Sequence, residues 1–154
     1  MAQRVYDGLT ELKTMIGQTL GTSDWFEVTQ QRINLFADAT GDHQWIHCDP
    51  ARAAVEGPYG TTVAHGFFTL SLCNTLFQTS FTIAGPKMML NYGLNKVRFP
   101  APVPVGSRVR AHLTLAEGEM TGHSHRIAEA SQATLYSHEN QLYLEVSQAG
   151  ARNS

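Results

Sequence analysis

The chain has 154 residues, 42% of them hydrophobic and 16% charged, with a formal net charge of −2. That is enough chain for one domain, residues 1–154, with a sizeable core, and the composition is that of an ordinary globular protein rather than a disordered one. Small net charge, without basic residues interleaved with aromatic ones, argues against nucleic acid, and the longest apolar stretch is too short to cross a bilayer.

In chain order, Met1 to Thr14 carry Arg4, Asp7, Glu11 and Lys13, so the apolar core of a secretory signal is missing and a cytoplasmic location is expected. The two cysteines, Cys48 and Cys73, are then read as reduced thiols. A short strand is expected around Trp25 to Val28. Thr29 caps the helix that follows, with Val28 and Ile33 in staple positions and Ile33, Phe36, Ala37 and Thr40 on one face until Gly41. Pro50 to Ala54 reads as one helical turn, followed by the turn-rich segment from Gly57 to Gly60. A charge-free apolar stretch predicts a buried helix from about Gly66 to Phe81, with Phe67, Phe68, Leu72, Leu76 and Phe77 in the core. From Met88 onward the period becomes two. Arg108, Arg110, His112 and Thr114 alternate with Val109, Ala111, Leu113 and Leu115, and Leu142, Leu144 and Val146 alternate with Tyr143, Glu145 and Ser147. With a further run from His125 to Tyr136 and a turn at 138–140, the second half predicts an antiparallel meander behind one buried helix.

Asp42 and His47 stand out in this plan. Five residues of helix, at about 100° each, would turn His47 about 140° from Asp42, and five of strand would place the two on opposite faces. A turn lets them meet, and Gly41 and Asp49-Pro50 supply the residues for one. A carboxylate and an imidazole on one tight loop can share a single water and exchange protons with it. The second candidate is His65-Gly66 at the start of the apolar helix. The unpaired N–H groups and positive dipole end there would stabilise an oxygen gaining negative charge, with Gly66 N–H as the donor; the plainer reading is a packing glycine.

Charge is unevenly spread. Residues 57–116 contain no acid and five bases, Lys87, Lys96, Arg98, Arg108 and Arg110. Such an island suits a phosphorylated ligand, and equally a solvated sheet face. Asn74 on the apolar helix reads as a buried polar group that either faces a substrate or caps a loop. No metal is expected: His43, His47, Cys48 and Asp42 are too close in sequence to share one tetrahedral ion, and paired-ligand motifs are missing. Cys48 is read as a structural thiol rather than a nucleophile, and His123, His125 and His138 as exposed.

Three blocks, FADATGDHQWIHCDP (36–50), GTTVAHGFFTLSL (60–72) and NYGLNKVRFPAPVPVGSRVRA (91–111), resemble in order and spacing the MaoC-like (R)-specific enoyl-CoA hydratases and dehydratases. In the hydratase motif of that family, Asp42 and His47 fall on the catalytic pair, although Gln44-Trp45 replaces the more usual Asn-Pro. The resemblance implies an α+β single hot-dog fold: an antiparallel sheet wrapped around a long central helix, with a helical overhang carrying the motif. It implies hydration of a trans-2-enoyl thioester to the (R)-3-hydroxyacyl thioester. Asp42 takes a proton from the water that His47 orients, and Gly66 N–H holds the enolate oxygen; two coupled groups need not separate into one acid and one base. Coenzyme A enters as part of the substrate and no other cofactor is implied. His65, Asn74, Lys96, Arg98, Arg108 and Arg110 are the candidate substrate contacts, and a homodimer or dimer of dimers is expected. The competing classes are another hot-dog enzyme, a thioesterase or carrier-protein dehydratase, and a non-catalytic acyl-CoA-binding protein, which would have no use for a water-holding dyad.

Overall fold

The computed structural model describes residues 3–85 and 93–115 and the strands at 119–121, 124–126, 131–137 and 142–149. The chain opens with β1 (Arg4–Tyr6), α1 (Gly8–Lys13), β2 (Thr19–Thr22) and β3 (Phe26–Glu27), followed by three helices, α2 (Gln30–Thr40), α3 (Trp45–Cys48) and α4 (Pro50–Glu56). Helix α5 (Gly66–Ser80) leads into β4 (Phe81–Ile83) and β5 (Gly93–Arg98). The remaining strands are β6 (Arg108–Thr114), β7 (Glu119–Thr121), β8 (Ser124–Arg126), β9 (Ser131–Ser137) and β10 (Leu142–Ala149).

The main sheet runs β2-β6-β9-β10-β5, with β3 also paired to β6. Pairing is antiparallel throughout this sheet, with Val109 opposite Ser137, Ala133 opposite Val146, and Val146 opposite Val97. The expected meander holds for β9 and β10, but β5 pairs with β10 rather than with β6, its successor in the chain. Periodicity reports which face of a strand is buried and carries no information about which strand lies beside it. β1 and β4 form a separate parallel pair.

Alternation on β6 is as expected: Val109, Ala111 and Leu113 are buried, and Arg108, Arg110 and His112 point the other way. This buried row packs with Phe68, Leu72, Cys73 and Leu76 of α5 in one core that also takes in Tyr6, Leu20, Val28 and Ile33. A sheet backed by one central helix, with α2 to α4 as an overhang, is the expected α+β arrangement.

Helix α2 has both its predicted ends. Thr29 Oγ1 accepts from Arg32 N at 3.3 Å, a cap of the kind worth about 1 kcal/mol. Gly41 closes the helix at φ 77°, the left-handed conformation that a side chain disfavours, with its N–H on Ala37 O at 2.8 Å. Ile33 and Ala37 are buried, while Thr40, expected on the same face, is exposed. The single turn expected at Pro50 to Ala54 extends to Glu56, capped by Asp49, whose Oδ1 accepts from Arg52 N at 3.0 Å. The strand expected at Trp25 to Val28 shrinks to two residues.

Helix α5 departs from expectation in one respect. It buries Phe68, Thr69, Leu72, Cys73, Leu76 and Ser80, whereas Phe67 is 69% exposed and Asn74 lies on the solvent side, not buried as expected. An apolar, charge-free helix lacks the polar stripe that would mark its outer face. The turn at 138–140 and the surroundings of His123, His125 and His138 lie outside what the structure describes. Among the described residues, no helix is long and apolar enough to cross a membrane.

Candidate active site

The left-handed turn at Gly41 directs the chain away from α2 and presents Asp42 at its end. The side chain is 56% exposed, and Oδ1 accepts from Gln44 N at 3.4 Å. The sequence predicts a tight loop here; the structure adds one helical turn, α3, which carries His47 back towards α2 and returns it to Asp42. Ligand atoms of Asp42, His47 and His65 all lie within 4.8 Å of one another. Asp42 and His47 form no direct hydrogen bond or ion pair, and a separation within 4.8 Å leaves room for one water between them.

His47 is only 8% exposed. Its Nδ1 lies 2.6 Å from Val63 O, and because a carbonyl can only accept, Nδ1 carries the proton and Nε2 is left with a free lone pair. Burial lowers the imidazole pKa below its ordinary value of 6.5, and His65 adds to the effect, while the Val63 carbonyl and Asp42 oppose it. His47 is therefore held neutral, with Nε2 able to accept a proton at neutral pH.

His65, read from the sequence as a substrate contact, sits behind the pair. It is 3% exposed and its ring stacks on that of His47, with centroids 3.8 Å apart. Its Nε2 donates to the main-chain carbonyl of Asp42 at 2.9 Å, and the Phe36 ring meets it at a tilt with centroids 5.1 Å apart. Nδ1 of His65 is buried without a hydrogen-bond partner. The three side chains resemble a cation site in composition but not in the disposition of their protons. To offer Nε2 to a metal, His65 would have to move its proton to Nδ1, where it finds no acceptor, and release Asp42.

Gly66 is the first residue of α5, directly after His65, and its N–H has no acceptor among the described residues. A Cβ there would stand 3.1–3.2 Å from the Phe99 ring, so this position has room for glycine and little else unless Phe99 shifts. Phe99 in turn meets the exposed Phe67 edge-on, with ring centroids 6.0 Å apart.

The basic island divides. Lys96 and Arg98 lie on β5, and Arg108 and Arg110 on β6, with β9 and β10 between them in the sheet. All four alternate with the core residues Val97, Val109 and Ala111 and so project from the face opposite α5. Arg108 and Arg110 both lie over the Trp25 ring, at 5.3 and 4.5 Å. Arg98 is next in the chain to Phe99, which brings it nearest in sequence to the wall of the site. Asn74 is two turns along α5 from Gly66. Both cysteines are free thiols. Cys48 is pushed up by burial and by Asp38 and Asp42, and burial pushes Cys73 up to about 12, so neither is an activated nucleophile.

Sequence reasoning missed Gln30, Thr62 and Val63, whose polar groups anchor His47. Their partners lie 16 to 32 residues away in the chain. No local pattern marks them.

A central helix against an antiparallel sheet, with a carboxylate, an imidazole and a helix N-terminus converging at its start, is the arrangement of a hot-dog protein. Residues 11–137 match the family model described as MaoC like domain, and the chain belongs to the MaoC-like dehydratase family. It is 57% identical over 119 residues to 3-hydroxyacyl-thioester dehydratase Z of Mycobacterium tuberculosis, covering 77% of this chain and 78% of that one. It is 52% identical over 117 residues to Nodulation protein N of Rhizobium leguminosarum bv. viciae, covering 75% and 73%. Among solved structures, the unliganded R-hydratase PhaJ1 from Pseudomonas aeruginosa superposes with a TM-score of 0.74 over 96% of this chain and 86% of that one. At 21% sequence identity, that likeness speaks for the fold.

Proposed function

We propose that the protein catalyses the reversible hydration of trans-2-enoyl thioesters to (R)-3-hydroxyacyl thioesters, with coenzyme A as the acyl carrier. The observation that carries this reading is a neutral His47, its Nδ1 held by the Val63 carbonyl and its Nε2 left to accept a proton, with ligand atoms of His47 and the Asp42 carboxylate within 4.8 Å of each other. The relative named 3-hydroxyacyl-thioester dehydratase Z supports the same chemistry.

In the hydration direction the water lies between Asp42 and His47 and attacks the β-carbon. Because the Val63 carbonyl keeps the proton on Nδ1, His47 Nε2 is the better-prepared acceptor of the water proton; the Asp42 carboxylate orients the water through its other hydrogen, and the proton taken up by the pair is the one returned to the α-carbon. This reverses the division of labour that the sequence suggests, and the two groups still titrate together. Gly66 N–H, with the positive end of α5 behind it, stabilises the enolate oxygen. The thioester itself acidifies the α-position, so the reading requires neither a metal nor a redox cofactor.

The acyl thioester approaches Gly66 past Phe99, and although Arg98 leaves the sheet on the face opposite α5, its place next to Phe99 in the chain makes it the base to test first for a contact with a phosphate of coenzyme A. Among the described residues β5 is the last strand of the sheet, and Leu94 and Phe99 are 44% and 41% exposed there. A second copy pairing there would give the homodimer that the family resemblance implies. A cytoplasmic location fits this substrate and the two free thiols.

Following the absorbance of the conjugated double bond in a series of trans-2-enoyl-CoAs of increasing length tests the activity. Loss of absorbance with formation of the (R)-3-hydroxy product supports it. A thioesterase would instead release free thiol.

A further inference from the structure

Gln30 is the first residue of α2, and all the polar groups of its side chain are engaged. Nε2 donates to His47 O at 2.7 Å and to Asn34 Oδ1 at 2.8 Å, and Oε1 accepts from Thr62 Oγ1 at 2.5 Å. The carbonyl of His47 can only accept, which fixes the orientation of the amide. That carbonyl is one of those left unpaired at the end of the single-turn helix α3, so Gln30 does there what water would do elsewhere. Thr62 is fully buried and precedes Val63, whose C=O holds His47 Nδ1 and whose N–H donates to Ile46 O at 3.1 Å.

The consequence is geometric. Helix α2 delivers Asp42 at its C-terminal end and, through Gln30, ties down the main chain of His47 from its N-terminal end. Eleven residues of helix make a rigid spacer of about 16 Å, so one element sets the position of both members of the pair. The segment 62–63 closes the frame, holding the His47 ring through Val63 and the His47 main chain through Thr62 and Gln30.

We propose that Gln30 is a positioning residue for His47: with Thr62 it forms a strut between α2 and α3 that sets the imidazole against Asp42 for proton transfer. The proposal rests on the hydratase reading for its kinetic consequence, but not for its effect on His47 itself. Gln30→Leu keeps the side-chain bulk and removes both donors and the acceptor. Thr62→Val removes the hydroxyl that steadies the amide and touches neither Asp42 nor His47.

Two readouts test it: kcat and KM with crotonyl-CoA, and the pH titration of the His47 imidazole by 1H–15N NMR, assigned with His47→Gln. The groups that act electrostatically on His47 are Asp42 from the end of α2 and His65 from the start of α5, and neither substitution alters them. Misplacing a catalytic group by about 1 Å can cost about a hundredfold. The expected result for Gln30→Leu is a kcat about ten- to a hundredfold lower, with KM within about twofold of the parent. Thr62→Val falls in the same direction, and in both the His47 titration moves up towards its ordinary value as water reaches a loosened ring. Parental kcat and an unmoved titration in the folded variants overturn the proposal, as does a change in KM alone. Should Gln30→Leu not fold, Thr62→Val decides by the same criteria. Should the parent hydrate no enoyl thioester, the hydratase reading fails by itself, and the titration alone then supports or overturns the strut.

Discussion

His65 offers a way to separate the two contacts that it makes. His65→Leu removes both the hydrogen bond to Asp42 O and the stack on His47, whereas His65→Gln carries an N–H at similar reach and removes the stack alone. The hydrogen bond has a net worth of about 0.5–1.5 kcal/mol. Water can partly replace it, because Asp42 is exposed, which favours the lower figure. An aromatic contact of this kind adds about 0.5–1.5 kcal/mol. His65→Leu should therefore lose about 1–3 kcal/mol, and since 1 kcal/mol moves Tm by about 2–4 °C in a protein of this size, differential scanning calorimetry resolves it. Activity should separate the variants further. With Asp42 untethered, His65→Leu should hydrate crotonyl-CoA about tenfold or more slowly, while His65→Gln retains most of the parental kcat. In both, removal of the His65 ring relieves one of the influences that lower the His47 pKa, so the acidic limb of the pH profile moves to higher pH. Equal kcat in the parent, His65→Leu and His65→Gln, with unshifted limbs, refutes the idea that His65 holds the pair.

Two further outcomes are expected. Gly66→Val should lower kcat by about 10²–10³ while the protein stays folded, because the new side chain crowds Phe99 and blocks approach to the amide; near-parental turnover by the folded variant removes Gly66 from the site. The His47 pKa is lowered on folding, so between its folded value and 6.5 the unfolded chain binds more protons. Stability contributed by neutral His47 is complete above pH 6.5 and declines as pH falls through that window. Urea titrations at a series of pH values should show the decline in the parent and a shallower slope in His47→Gln, with His112, whose pKa burial and Arg110 also lower, supplying part of what remains.

Several elements are legible in the sequence because their determinants are local. Thr29 and Gly41 bound α2 through bonds to residues three or four positions away, and β6 declares its buried face in every second residue. Asp42 and His47 are legible for the same reason, being five residues apart in a motif with a known family form. What escapes a reading of the sequence depends on distant partners. β5 finds β10, the three residues of β1 find β4, and His65 meets Asp42 across 23 positions. The outer face of α5 is hidden for another reason. In a helix with no charge, Phe67 and Leu72 look alike, and only packing against β6 distinguishes the exposed residue from the buried one. The basic residues look like one patch because they are close in sequence, and the strand order separates them.

The central claim is that Asp42 and His47 share one water and move its protons, and Asp42→Asn tests it most directly. The Asp42 side chain is more than half exposed and accepts one 3.4 Å bond from Gln44 N, which an Asn oxygen can also accept, and the His65 tether uses the main chain. Folding and Tm should therefore be unchanged. Hydration of crotonyl-CoA and longer trans-2-enoyl-CoAs should fall by at least about 10², because an amide cannot exchange a proton with the water or the α-carbon. Hydration by Asp42→Asn at the parental rate, or a parent protein that hydrates none of these thioesters, contradicts the account.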